Sequence, residues 1–313
     1  MTRLACRLAV ALMTAALAGG LLPAQSAEPP RVVASIKPLH SLAAAVMAGV
    51  RAPELLVRGA ASPHGFSLRP SDAARLDGAA IVFWSGPALE TYLEKPLSSL
   101  ADDAMVMEVA ALPGLTLLPP REGGVWEAHE NVEAHAHEAG GIDPHLWLDP
   151  ENAQVIASAM AERLAAADPA NAAAYRANAE ALSARIEALD AEIAALLAPV
   201  RDRPFVVFHD AYQYFEAQYG LAGTGAITMS PDQPPGARRL REIRAAVAER
   251  GAVCLFREPG FDPALVALVA EGSALRQAEL DPEGIGLAEG PDLYLELMRG
   301  LARGIADCLA ADG

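Results

Sequence analysis

A long stretch without glycine or proline in the middle of the chain most constrains the fold. No helix-breaking residue occurs between Pro169 and Pro199, and apolar residues recur there at steps of four and three: Leu182, Ile186, Leu189, Ile193 and Leu196. This spacing predicts an amphipathic helix, which over residues 170–198 would be about 44 Å long. Asp-Pro at 149–150 predicts the start of a preceding helix, and Asp-Pro at 168–169 predicts a restart. A helix this long can run along two lobes; a dimerising coiled coil is the alternative.

Short apolar segments alternate with helix-like segments on both sides of this stretch. Strands are predicted at residues 31–36, 54–57, 79–84, 105–109, 205–208, 225–228, 253–257 and 276–280. Such alternation is typical of parallel βαβ units. We therefore predict an α/β fold with two (βα)-type lobes, whose mostly parallel sheets are joined by a long rigid linker helix. The predicted divisions are an N-terminal lobe at 28–149, linker helices at 150–199 and a C-terminal lobe at 200–313.

Residues 1–27 have the pattern of a secretory signal peptide. Arg3 and Arg7 precede an apolar run at 8–22, and small residues follow, including Ser26 and Ala27. The run is too short for a good membrane span, so an uncleaved anchor is the less favoured reading. We predict an exported protein that is cleaved near Ser26 or Ala27.

Charge and cysteine content narrow the class of protein further. With 40 acidic and 24 basic residues the net charge is -16, which argues against a nucleic-acid partner. The acidity fits cationic ligands or simple solubility, and charge alone does not separate the two. Cys6 lies in the predicted signal peptide, which leaves Cys254 and Cys308. In an exported chain these two predict a disulfide, with two free buried thiols as the alternative.

Three histidines and one aspartate occupy similar positions in the predicted topology. His64, His145 and His209 each lie where a strand gives way to a loop or helix, and Asp281 follows the last strand. Taken singly, each residue fits an ordinary structural role equally well, and His209 with Asp210 also matches the paired ligands of helical phosphohydrolases. Ligands of open α/β sheets bind beyond the carboxyl ends of the strands. The shared placement therefore predicts one cleft holding three imidazoles and a carboxylate, a donor set suited to zinc.

Several short motifs resemble one known family. They are Val-Val-Ala-Ser-Ile-Lys-Pro-Leu at 32–39, Ser-Pro-His at 62–64, Leu-Arg-Pro-Ser-Asp at 68–72, Asp-Pro-His-Leu-Trp-Leu-Asp-Pro at 143–150, Phe-His-Asp-Ala-Tyr at 208–212 and Leu-Asp-Pro at 280–282. Together they resemble the ZnuA family, the periplasmic zinc-binding proteins of ABC importers. The resemblance implies zinc ligation by His64, His145 and His209, and a disulfide between Cys254 and Cys308. It also implies a periplasmic, monomeric, non-enzymatic protein that carries Zn²⁺ to a membrane permease with a cytoplasmic ATPase.

The resemblance also bears on metal choice and on the fourth ligand. Manganese- and iron-binding relatives place a carboxylate where this chain has His209, so a third imidazole favours zinc. Some zinc-binding members have a glutamate just before the first histidine, but Pro63 stands there. This leaves Asp281 or water as the fourth ligand, and we favour Asp281. Glu258, at a strand end, is the candidate to support a ligand histidine.

The segment 121–141 is rich in histidine and glutamate. It carries His129, His135 and His137 together with Glu127, Glu130, Glu133 and Glu138. Zinc-binding members of the family often have such a loop here, so these histidines are candidates for a secondary zinc site or a collector of ions. A solvated loop without a metal role is the alternative.

Two other functions remain to be compared with zinc delivery. One is a manganese- or iron-binding homologue. The other is an exported zinc hydrolase, because three histidines and a water also form catalytic centres. The sequence contains no His-Glu-x-x-His helix and no Gly-x-Ser-x-Gly elbow, which disfavours the hydrolase.

Overall fold

The computed structural model describes residues 28–59, 61–121, 141–231 and 235–310. The predicted signal peptide and the three histidines at positions 129, 135 and 137 lie outside these ranges. None of the described helices combines the length and the apolar composition that crossing a bilayer requires.

The N-terminal lobe is a parallel four-stranded sheet with helices on both faces. Its elements are β1 (Val32–Ala34), α1 (Lys37–Val46), β2 (Glu54–Leu55), a 3-10 turn (Pro63–Gly65), α2 (Pro70–Leu76), β3 (Ile81–Trp84), α3 (Pro87–Glu90), α4 (Glu94–Leu100) and β4 (Met105–Glu108). The strand order is β2-β1-β3-β4. All carboxyl ends of the strands therefore point to one edge of the sheet.

Two linker helices follow, α5 (Pro150–Ala167) and α6 (Ala172–Leu197). Asp149 caps α5 by accepting hydrogen bonds from the backbone N–H groups of Glu151 and Asn152. A 3-10 turn over Pro169–Asn171 delays the start of α6 to Ala172, two residues later than predicted. At 26 residues, α6 is about 39 Å long.

The buried face of α6 differs from the prediction at one position. Leu182, Ile186, Leu189 and Ile193 are buried as predicted, but Leu196 is 38% exposed and Leu197 is buried instead. The next inward position after Ile193 falls between the two at 3.6 residues per turn, and here it is taken by Leu197. This face packs against α1 of the first lobe and α10 (Leu293–Ala310) of the second. The apolar stripe is thus covered within the chain.

The C-terminal lobe repeats the plan of the first. Its elements before α10 are β5 (Phe205–His209), α7 (Gln213–Tyr219), β6 (Gly223–Thr228), α8 (Ala237–Arg250), β7 (Cys254–Arg257), α9 (Pro263–Ala270) and β8 (Arg276–Glu279). The strands are parallel in the order β6-β5-β7-β8, which matches the first sheet position by position. The predicted α/β fold of two lobes joined by a long helix is confirmed.

One apolar core runs through both lobes. It includes residues of α1, both linker helices, α7 and α10, while smaller clusters lie under α2 and α4 and under α8 and α9. The predicted disulfide is present and joins Cys254 on β7 to Cys308 on α10. Across the lobes, Lys37 Nζ donates to the carbonyl oxygens of Gly284, Ile285 and Leu287 at 2.8–3.0 Å. The lobes therefore share packing as well as polar contacts.

Candidate metal centre

His64 reaches the cleft from a short turn after β2. Pro63 begins the 3-10 turn, and the hydroxyl of Ser62 accepts from the backbone N–H of His64 at 3.3 Å. The side chain is half-buried, and no described carboxylate bonds to its Nδ1 atom. Its orientation therefore depends on the turn that carries it.

His145 is held more firmly, by an aspartate two residues before it. Asp143 Oδ1 accepts from the backbone N–H of His145 at 3.0 Å and lies 2.8 Å from His145 Nδ1. Both side chains are buried. Because a carboxylate only accepts hydrogen bonds, Nδ1 carries the proton and Nε2 keeps its lone pair for a metal.

His209 is the last residue of β5 and has the same kind of support. Its Nδ1 lies 2.6 Å from Glu258 Oε2, and its backbone N–H donates to Glu258 Oε1 at 3.3 Å. Tyr212 donates its hydroxyl to the same Oε1 at 3.2 Å. Glu258 thus bonds to His209, a candidate ligand, and again leaves Nε2 with the lone pair.

The three imidazoles converge through their Nε2 atoms. His145 Nε2 lies 3.2 Å from His64 Nε2 and 3.3 Å from His209 Nε2. Zinc binds nitrogen at 2.0–2.1 Å, so two nitrogen ligands of a tetrahedral zinc are about 3.3 Å apart. Both distances match the separation of two nitrogen ligands on one zinc ion, and the three ligand atoms all lie within 4.8 Å of one another. Lone pairs facing each other at this distance repel, and a shared cation removes the repulsion.

Burial sets the protonation of the outer histidine. Desolvation, helped by repulsion from His145 and His209, lowers the pKa of His64 to about 2. At neutral pH this side chain is therefore an uncharged imidazole, which is the form that ligates a metal.

His209 is shifted the other way. Burial lowers its pKa, but attraction and hydrogen bonding to Glu258 outweigh burial, so the net pKa is raised. Protons would therefore compete with a metal more effectively at His209 than at His64.

Asp281 does not join the three histidines. Its Oδ1 accepts from the N–H of Ile285 at 2.9 Å and its Oδ2 accepts from the N–H of Gly286 at 2.8 Å. The only set of metal-ligating side chains found together among the described residues contains His64, His145 and His209. An aspartate followed by Pro282 is a common start for a turn, and the side chain here serves that turn.

An ion-pair cluster behind the centre was missed by sequence reasoning. Arg121 Nη1 contacts Asp210 Oδ1 at 3.2 Å, and its Nη2 contacts Glu216 Oε2 at 2.7 Å. Burial raises the pKa of Asp210 to about 7, although Arg121 opposes the shift. Asp210 thus pairs with an arginine rather than facing the histidines, which speaks against the paired ligands of a phosphohydrolase. Asp143, the partner of His145, was also missed, although its position carries a sequence signal. An aspartate two residues before a histidine can accept a hydrogen bond from the backbone N–H of that histidine.

Comparison with known proteins gives a consistent set of relatives. The family model described as "Zinc-uptake complex component A periplasmic" matches residues 32–308. A high-affinity zinc uptake system protein of Brucella suis is 43% identical over 325 aligned residues, covering 96% of this chain and 97% of that protein. The corresponding protein of Yersinia pestis is 37% identical over 289 residues, covering 89% and 91%.

Solved structures show the same fold. A zinc-bound deletion mutant of ZnuA superposes with a TM-score of 0.76 at 24% identity, covering 91% of this chain and 99% of that one. The laminin-binding adhesin of Streptococcus agalactiae superposes with a TM-score of 0.75 at 26% identity, covering 90% and 99%.

Proposed function

Because the chain belongs to the ZnuA family of periplasmic zinc-uptake components, we propose that it captures Zn²⁺ between its lobes and delivers it to an ABC-type importer. The observation that carries the proposal is that His64 Nε2 and His209 Nε2 both lie at the spacing of zinc ligands from His145 Nε2. His64, His145 and His209 are the proposed ligands. The zinc is cargo, so the site must both bind and release it.

Alanine variants of the three histidines test this assignment. Competition with a chromophoric chelator measures zinc affinity, and circular dichroism checks folding. Each variant should lose more affinity than a variant of a supporting residue, for which losses of about 10–100-fold are typical. The exposed-helix variant Arg163→Ala is the matched control and should bind as wild type does. Wild-type affinity in any of the three histidine variants refutes that residue as a ligand.

For the fourth position we propose Asp281, with water as the competing ligand. Asp281 lies just beyond β8, at the edge of the sheet that faces the cleft, and its charge acts on Tyr212 beside His209. Ligation by Asp281 requires it to leave the N–H groups of Ile285 and Gly286, whereas water requires no rearrangement. Asp281→Ala should weaken zinc binding if the carboxylate ligates. Unchanged affinity assigns the position to water.

A third imidazole supports zinc over manganese or iron, the alternative cargo. Imidazole suits zinc well, whereas harder ions such as manganese prefer oxygen donors. Metal analysis of protein purified without added metal, followed by competition between zinc and manganese, tests the choice. Retention of manganese against equimolar zinc contradicts it.

No enzymatic role is part of the proposal. The carboxylates that contact the proposed ligands, Asp143 and Glu258, are bonded to histidine Nδ1 atoms, so neither is placed as a general base for a metal-bound water. Turnover of esters or phosphate esters by the zinc-loaded protein would support the alternative function, an exported zinc hydrolase.

The histidines at 129, 135 and 137 are proposed as a secondary zinc site or collector. A variant lacking residues 122–140 tests this role. If the variant keeps the zinc stoichiometry and the rate of zinc uptake of the wild type, the secondary-site or collector role is refuted.

We propose the periplasm as the location and a permease with its ATPase as the partner. The signal peptide is proposed to be cleaved near Ser26 or Ala27, and the mature chain to be a monomer with lobes at 28–149 and 200–313. The mass of the exported protein tests the cleavage site. Light scattering during size-exclusion chromatography tests the oligomeric state.

A further inference from the structure

Equivalent connections in the two lobes carry exposed arginines. The strand orders match, so β2 and β6 occupy the same place, and the chain leaves both at the edge that bears the histidines. Arg58 and Arg69 lie on the connection that carries His64. Arg238 and Arg241 lie in the first turns of α8, which follows β6. β6 ends at Thr228, which pairs with His209.

These four side chains present their charge to solvent. All four residues are exposed, and the side chain of Arg238 is 87% exposed although Glu242 lies 3.5 Å away. Arg58 donates to the carbonyl oxygen of Leu55, three residues earlier, and pairs with no carboxylate among the described residues. Within the described chain, the side chains of Arg69 and Arg241 make no ion pair. Each lobe thus carries one pair of exposed arginines, at the sheet edge that bears the histidines, whose charge can meet a partner.

Neither helix stability nor metal capture explains the charges on α8. The amino end of a helix carries a positive partial charge, so cationic side chains there are unfavourable. The first turn of α8 has no acidic residue, and the carboxylate of Glu242 in the next turn leaves the Arg238 side chain 87% exposed. Positive charges at the rim of the cleft also repel a zinc ion that approaches it. In a chain with 40 acidic and 24 basic residues, this placement calls for an anionic partner.

We propose that the two arginine pairs, Arg58 with Arg69 and Arg238 with Arg241, dock the protein onto carboxylates at the periplasmic face of the importer's membrane subunit. The inference rests on the proposed function. An ion held between the lobes must leave across this rim, so the receiving subunit has to cover both lobes. Arginine suits the contact because its planar guanidinium group can bind a carboxylate through two parallel hydrogen bonds.

Charge reversal separates docking from zinc binding. The test variants are Arg58→Glu/Arg69→Glu and Arg238→Glu/Arg241→Glu. The matched control is Arg163→Glu/Arg303→Glu, which reverses two exposed arginines on α5 and α10. Zinc affinity is measured by chelator competition. Zinc uptake and ATP hydrolysis are measured with the protein's own importer complex in phosphatidylcholine liposomes.

Each test variant should keep its zinc affinity and lose about tenfold or more in uptake, because opposed like charges suppress association. The control should match wild type. Raising the salt from 0.1 M to 1 M shortens the screening length from about 10 Å to about 3 Å, so wild-type uptake should fall, whereas uptake by the test variants should rise as their repulsion is screened.

Three outcomes overturn the inference. Wild-type uptake by both test variants shows that the arginines do not dock. Arginine-dependent binding to importer-free phosphatidylglycerol vesicles, with no gain from the importer, assigns the surface to lipid headgroups. A wild-type protein that binds no zinc, or binds zinc but supports no uptake, refutes the proposed function itself, and the docking surface with it.

Discussion

Replacing Glu258 by glutamine should weaken zinc binding without unfolding the protein. The carboxylate accepts three hydrogen bonds, from His209 Nδ1, the His209 backbone N–H and the Tyr212 hydroxyl. A glutamine has one acceptor oxygen and one donor nitrogen in the same space. It cannot satisfy all three donors, and each way of placing it has a defined penalty.

If the amide oxygen takes the Oε1 position, the amide nitrogen faces His209 Nδ1. His209 must then accept at Nδ1 and move its proton to Nε2, which removes the lone pair from the centre. The same wrong-tautomer effect follows when an amide replaces the aspartate of a serine protease triad. If the oxygen takes the Oε2 position instead, the buried backbone N–H of His209 loses its acceptor, which costs about 1–3 kcal/mol of stability.

We therefore expect a loss of about 10–100-fold in zinc affinity, equivalent to about 1.4–2.7 kcal/mol. Chelator competition at neutral pH measures it, and a thermal melt confirms folding. Glu279→Gln is the matched control, because Glu279 pairs with Arg257 at an exposed site and should be replaceable with little effect. An affinity within about twofold of wild type for Glu258→Gln would refute the role of Glu258 in orienting His209.

Three further outcomes are expected. Zinc affinity should fall as the pH is lowered, because protonated imidazole does not ligate. The raised pKa of His209 starts this loss above the ordinary imidazole value of about 6.5 and makes His209 protonate before His64. A chelator titration that stays flat down to pH 5 would exclude three histidine ligands. Cys254→Ser/Cys308→Ser opens a loop spanning 54 residues and should lower the free energy of unfolding by about 4 kcal/mol in a urea titration, with zinc affinity retained. Arg121→Ala leaves its two buried carboxylate partners uncompensated and should destabilise the protein by about 3–5 kcal/mol, whereas a thermal melt equal to wild type would contradict the ion-pair cluster.

The features that sequence predicted are those set by local pattern. The strands, the linker helix and the histidines at strand ends follow from apolar periodicity and from the geometry of parallel sheets. The pairing of Cys254 with Cys308 follows from the presence of only two cysteines after the predicted signal peptide. These inferences need only local sequence patterns, the order of the elements and the number of cysteines.

The features that sequence did not predict depend on distant packing. Arg121 meets Asp210 and Glu216 across separations of 89 and 95 residues, and no local signal connects them. The direction of the Asp281 side chain is decided by the N–H groups of its own turn, whose conformation is not evident from composition. Whether Leu196 or Leu197 faces inward depends on a fraction of a helical turn.

The continuous apolar core has a calorimetric consequence. Residues of α1, both linker helices and α10 pack together across the lobes, so wide separation of the lobes would expose apolar surface even without zinc. Zinc entry can therefore bury little additional apolar surface. Since the heat-capacity change of binding reports apolar burial, titration calorimetry at several temperatures should give a value near zero. The measured enthalpy would then be nearly independent of temperature, and would reflect metal–nitrogen bonds and proton release rather than a closing movement of the lobes.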